Sequence, residues 1–172
     1  VKKIFLVEAT SSYKKEIGNF KAAFPAGTNK IEGSSDLAAS PSIDKWLTSL
    51  EQLRSPTTPS GKVPGIQFLA IDEDQKIIGM LNLRLRLNDY LLNFGGHIGY
   101  AIRPDERKQG YGTEVLALGL QEAKKNGIKR ILVTCKETNQ ASARVIEKNY
   151  GRLEDKRLNH EKQLMRRYWI VL

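Results

Sequence analysis

One cysteine and two histidines in 172 residues leave little room for several kinds of chemistry. Cys135 has no partner for an internal disulfide, which points to a reducing compartment, the cytoplasm. His97 and His160 are the only imidazoles, no His/Cys cluster has metal-ligand spacing, and no metal is expected. No apolar run is long enough for a membrane span. The N-terminal VKKIFLVEAT lacks a small-residue cleavage site and reads as a first strand, not a signal peptide. Acidic residues are also in deficit: 19 Asp and Glu stand against 28 Lys and Arg, a net charge of +9. Such an excess attracts polyanions, among them nucleic acid, an acidic protein or a phosphorylated cofactor. The cations form no single block and few aromatics stand beside them, so nucleic acid is not the expected partner.

What is present is ordinary globular material, 40% hydrophobic and 27% charged, enough for one domain over residues 1–172 with a core of its own. Ile17, Phe20, Ala23 and Phe24 are spaced as one face of a helix over 13–24. The Gly-, Ser- and Asn-rich stretch that follows reads as a mobile loop, a lid or a binding wall. PSIDKWLTSLEQLR is a second helix with Pro41 near its start and Trp46, Leu50 and Leu53 on one face. SPTTPSGKVPG is a loop, and its Gly-Lys pair lacks the glycine spacing of an ATP-binding loop.

IQFLAI and MLNLRLRLN make an antiparallel hairpin around DEDQK, with Leu81, Leu83, Leu85 and Leu87 alternating with Asn82, Arg84, Arg86 and Asn88. Arg84 and Arg86 are expected on a solvated sheet face, with an acidic acceptor as the sharper reading. GHIGYAIRP is the next strand, and a helix runs from about Gly110 to Asn126, closed by Gly127. RILVTC is a buried strand in which Cys135 serves as a small core residue. NQASARVIEKN is a short helix capped by Asn139, and GRLEDKRL with QLMRRYWIVL forms a last strand pair. The order β-α-α-β-β-β-α-β-α-β-β implies an α/β (α+β) mixed sheet with helices packed on it.

Arg107-Lys108-Gln109-Gly110-Tyr111-Gly112 joins strand to helix with two glycines. A helix N-terminus presents unpaired N–H groups and a positive dipole end, and glycine lets phosphate oxygens approach them. The loop therefore reads as a diphosphate cradle, or as two glycines serving helix–sheet packing alone. It is not the dinucleotide-binding fingerprint, because Val115 stands where that needs a third glycine.

The combination resembles the GNAT superfamily of N-acyltransferases, whose signature of Arg or Gln, two residues, Gly, one residue, Gly or Ala is met by Arg107, Gly110 and Gly112 after a strand ending Ile102-Arg103-Pro104. NQASARVIEKNYGRLED is similar to the family's second motif, and the element order agrees over nearly the whole chain. The resemblance implies a mostly antiparallel sheet with splayed central strands and helices on both faces. It implies acetyl-CoA as acyl donor, the backbone of Ala101, Ile102 and Arg103 along the pantetheine arm, and Arg107, Lys108, Gln109, Gly110, Tyr111, Gly112 and Thr113 at the diphosphate. Asn139 and Ser142 would lie on the same arm. The implied activity is N-acetylation of a primary amine, on a small molecule or peptide, by direct attack within a ternary complex, and a homodimer is compatible with it.

Acyl transfer to a lysine-like amine requires a neutral nucleophile, present about once in 2,500 molecules at neutral pH, a cost of roughly 4.6 kcal/mol. Many relatives supply a Glu on the fifth strand as base and a Tyr on the next helix as acid; counted from Asn139, those positions are Thr134 and Ile146. His97, Glu137 and Tyr100 are the candidate substitutes, with a water relay ending at His97 the preferred one. Asp44, Trp46 and Glu51 are candidates for an acceptor wall, Trp46 equally for the core. The missing pair also makes an acyl-CoA sensor without turnover a distinct reading, and a basic nucleic-acid-binding domain a third.

Overall fold

The computed structural model describes residues 1–55 and 61–172; residues 56–60 of the expected loop lie outside that description. The expected element order is found: β1 (Phe5–Glu8), α1 (Lys14–Ala22), α2 (Ile43–Arg54), β2 (Gly65–Ile71), β3 (Ile77–Arg84), β4 (Ile98–Ile102), α3 (Tyr111–Lys125), β5 (Arg130–Lys136), α4 (Gln140–Lys148), β6 (Arg152–Leu158) and β7 (Leu164–Val171). The strands form two antiparallel sheets, ordered β1-β2-β3-β4 and β5-β7-β6, and no ladder joins β4 to β5. The splay between the central strands is therefore present as a gap between two sheets. No described helix is long and apolar enough to cross a membrane.

Two apolar clusters sandwich the first sheet. Leu81, Leu83, Ile98, Val115, Leu116 and Ile146 share the cluster under α3 and α4. Ile17, Phe20, Trp46, Leu69 and Met80 share the one under α1 and α2. Strand β4 divides between them, since Tyr100 and Ile102 pack toward the first cluster and Ala101 toward the second.

Two expectations need correction here, and the choice left open for Trp46 is settled. Strand β3 ends at Arg84, so Leu85 and Leu87 lie beyond it, and its polar positions do not form a wet face. Asn82 and Gln67 are buried. Gln67 Nε2 donates to Gly33 O at 2.8 Å, and Asn82 Nδ2 to Ser35 Oγ at 3.1 Å. The segment read as a mobile loop, a lid or a binding wall is thus tied down on the sheet over residues 31–37, which fits the wall and not the mobile alternatives. Trp46 is core, fully buried, with its indole N–H donating to Ser34 O at 2.8 Å. Asp44 and Glu51 are exposed, and Asp44 pairs with Lys14 at 2.8 Å.

Candidate active site

Strand β4 delivers the chain into a turn in which Lys108 takes φ +63° and Gly110 φ +89°, both left-handed. Gly110 is the residue before α3, and no side chain caps that end. A Cβ on Gly110 would meet nothing within 4 Å, so glycine is there for the backbone conformation and the space in front stays open. Gly112 has the other role, since its Cβ would lie 3.2 Å from Val145 Cγ2 on α4. Gly112 thus packs most tightly on a helix, with the sheet residues Tyr100 and Ile102 at 3.8 and 3.9 Å from that Cβ, where helix–sheet packing was expected.

The N–H groups from Gly110 to Thr113 have no partner among the described residues. By contrast, Ser42 caps α2 through the Lys45 N–H at 3.1 Å, and Asn139 caps α4 through the Ser142 N–H at 3.1 Å. Arg107 curls over the loop, donating from Nε to Ile102 O at 3.3 Å with its guanidinium 6.0 Å from the Phe24 ring centroid. Gln109 Nε2 donates to Glu106 at 3.3 Å. The Tyr111 side chain is buried and its hydroxyl accepts from the Lys2 N–H at 3.0 Å, leaving only its backbone for a ligand.

On β4 the ladder decides which backbone groups face the gap. The Arg103 N–H donates to Ile78 O, and His97 O accepts from the Arg84 N–H, both at 2.7 Å. Alternation then turns Ala101 and Gly99 toward β3, and Ile98, Tyr100 and Ile102 toward β5. Of the three residues expected along a pantetheine arm, Ile102 presents its backbone to the gap, while Ala101 and Arg103 spend theirs on the sheet; Tyr100 takes the second place. Arg103 also donates from Nε to Asp105 at 2.8 Å. Asn139, expected on the arm, uses its carbonyl oxygen as the α4 cap. The Tyr100 hydroxyl and Ser142 Oγ meet at 2.8 Å across the gap.

The candidate bases fare differently from expectation. His97 is buried and its Nδ1 accepts the Leu132 N–H at 2.9 Å, while its backbone N–H donates to Leu132 O at 2.7 Å. It ties β4 to β5, and burial with the nearby Arg84 charge pulls its pKa down to about 4. With Nδ1 occupied, the neutral ring carries its proton on Nε2 and has no lone pair free to take another. Glu137 is gripped by Arg166 at 2.7 Å and Lys156 at 3.0 Å, and those bonds depress its pKa to about 2. Burial raises the Tyr100 phenol, so it is a proton donor at neutral pH rather than a base. Thr134 donates from Oγ1 to Phe94 O at 2.6 Å, and Ile146 is fully buried in the core. Among the described residues no His, Cys, Asp and Glu group could hold a metal.

Sequence reasoning missed the clamp on residues 91–97. Arg167, buried on β7, donates to Leu92 O at 3.0 and 2.8 Å and meets Glu154 and Asp155. Arg84 holds Gly95 O and Gly96 O at 3.0 and 3.1 Å. The sequence signal was the adjacent pair Arg166 and Arg167 inside an otherwise apolar strand, which reads equally as solvated.

Residues 35–150 match the family model described as an acetyltransferase (GNAT) domain. No curated protein matches the chain by sequence. Among solved structures, ribosomal-protein-S5-alanine acetyltransferase from Vibrio fischeri is 15% identical with TM-score 0.74, covering 99% of this chain and 94% of that one. RimL, an L7/L12 α-N-protein acetyltransferase in complex with coenzyme A through a cysteine disulfide, is 17% identical with TM-score 0.73, covering 100% and 96%. A spermidine N-acetyltransferase SpeG chimera from Vibrio cholerae and hSSAT is 12% identical with TM-score 0.68, covering 98% and 95%. These likenesses establish the fold.

Proposed function

Because the chain belongs to the GNAT acetyltransferases, an acyl-transferring enzyme family, we propose that it moves an acetyl group from acetyl-CoA to a primary amine. The observation that carries this is the start of α3, uncapped, preceded by left-handed Gly110 and open in front. A solved structure of the same fold contains coenzyme A. The N–H groups of Gly110, Tyr111, Gly112 and Thr113 would hold the diphosphate, with Arg107, Lys108 and Gln109 around it. Backbone groups of Tyr100 and Ile102 and the free amide nitrogen of Asn139 would meet the pantetheine arm, and Ser142 lies beside it.

Acetyl-CoA supplies the activated thioester; the protein supplies position and protons. The Cys135 thiol is buried and pushed up to about 11, so only about one in 10,000 is ionised at neutral pH and it is no nucleophile. The amine therefore attacks directly. Tyr100, hydrogen-bonded to Ser142, would give the departing sulfur a proton. Among the described residues neither His97, Glu137 nor Tyr100 is a base of useful strength, so the amine loses its proton to water.

The test is calorimetric titration of acetyl-CoA followed by an amine screen with detection of the released thiol. In the pH profile, kcat/KM is expected to climb about tenfold per unit toward the pKa of the amine. A flat profile between about pH 6 and 9 contradicts this, because it reveals an enzyme base. Thr134 and Ile146 at the usual acid–base positions favour a second reading, acyl-CoA binding without turnover, which the same screen distinguishes: affinity would be found with no thiol released.

A further inference from the structure

Arg167 is buried and Arg84 is partly buried, and they are satisfied differently. Arg167 has Glu154 and Asp155 as counterions. No carboxylate stands within ion-pair distance of Arg84 among the described residues. Its Nη1 is spent on Gly95 O and Gly96 O, whereas its Nε and Nη2 have no partner among the described residues. Burial lowers its pKa, but a guanidinium stays protonated at neutral pH, so a charge is held there without a mate. The carboxylates that influence it, Glu32 and Asp36, act only at a distance and are engaged with Lys30 at 3.3 Å and Lys62 at 3.9 Å.

The guanidinium lies against β4. A Cβ on Gly99 would sit 3.7 Å from Arg84 Nη2 and 3.2 Å from Gly33 Cα. This is the face of β4 under residues 31–37, opposite the face on which Tyr100 meets Ser142. The open Nε/Nη2 edge carries two parallel N–H groups, the geometry that receives a carboxylate bidentately.

We propose that Arg84 receives a carboxylate of the acceptor, which makes the acceptor an amino acid or peptide carrying an acid close to its reacting amine. This rests on the transferase reading above. The +9 surface draws such an acceptor in, and Arg84 fixes its orientation with the amine toward the gap.

The test uses matched acceptor pairs differing only in carboxylate against carboxamide: free amino acids with their amides, and Ser-Glu with Ser-Gln peptides. Released thiol gives kcat/KM for the parent and for Arg84→Gln and Arg84→Lys, with acetyl-CoA affinity measured on each. The expected result is an acid-over-amide preference of about tenfold or more in the parent, retained in part by Arg84→Lys and falling to about one in Arg84→Gln, with acetyl-CoA affinity unchanged. Equal use of acid and amide by the parent overturns the proposal and leaves Arg84 as a clamp on Gly95 and Gly96, as does a preference that survives in Arg84→Gln. Acetyl-CoA binding without turnover of any pair also overturns it. Failure of the parent to bind acetyl-CoA instead removes the transferase reading on which it stands.

Discussion

At the start of α4, Asn139 turns back to accept the Ser142 N–H at 3.1 Å, whereas at the start of α3 Gly110 offers its own N–H groups nothing. Both helices border the gap between β4 and β5 and pack on one another, with Gly112 of α3 against Val145 of α4. Leaving a helix end without its cap forgoes about 1 kcal/mol of stability. The start of α1 also lacks a side-chain cap, but it runs on from a 3-10 turn over Ser11–Tyr13 in which Ser11 O accepts the Lys14 N–H; α3 has neither device, and its four donors and dipole end stay open to something outside the chain. The difference separates a helix that completes itself from one completed by an anion.

The comparison breaks most sharply at Gly110. Gly110→Asp would place a carboxylate before the open N–H groups, and acetyl-CoA affinity is expected to fall by at least about 100-fold, or about 2.7 kcal/mol, by calorimetry. Folding should change by less, on the order of 1 kcal/mol: the left-handed conformation strains Asp, one of the side chains that visits it, but the space is empty.

A somewhat smaller effect is expected at the closed end of the gap. His97 faces Arg84, the Leu132 N–H and the Trp169 ring, and its folded pKa of about 4 lies below the ordinary 6.5. The neutral ring is therefore favoured by folding. That stability is fully present above pH 6.5 and is lost as pH falls through 4, with on the order of 2 kcal/mol gone by pH 4.5. Urea unfolding at about pH 7 and pH 4.5 should show the loss in the parent and much less of it in His97→Asn.

The smallest effect should be at Asn139. Asn139→Ala is expected to cost about 1 kcal/mol of stability and to change acetyl-CoA affinity only a few-fold. A variant that lost affinity as completely as Gly110→Asp would erase the distinction between the two helix starts.

Which of these features the sequence disclosed follows from their range. The order of elements, the αL glycine before α3 and the Asn139 cap are local, set by periodicity and by residues a few positions apart. The role of Gln67 and Asn82 was illegible, because alternation says which side a residue faces and not what covers that side. Here the covering segment comes from residues 31–37, brought close by Gly33, whose Cβ would lie 2.4 Å from Gly99 O. The candidate bases failed for the same reason: His97 had the right intrinsic chemistry, but a β5 amide 35 residues away occupies its lone pair. The tie from Arg167 to Leu92 spans 75 residues and left no local pattern.

The most direct measurement is an amide-resolved NMR titration of the parent with coenzyme A. Saturable shifts of the Gly110, Tyr111, Gly112 and Thr113 amides, larger than any at the capped α2 start near Lys45, are the predicted result. Binding that leaves those four amides unmoved, or no binding, would contradict the reading of the α3 start as a diphosphate site.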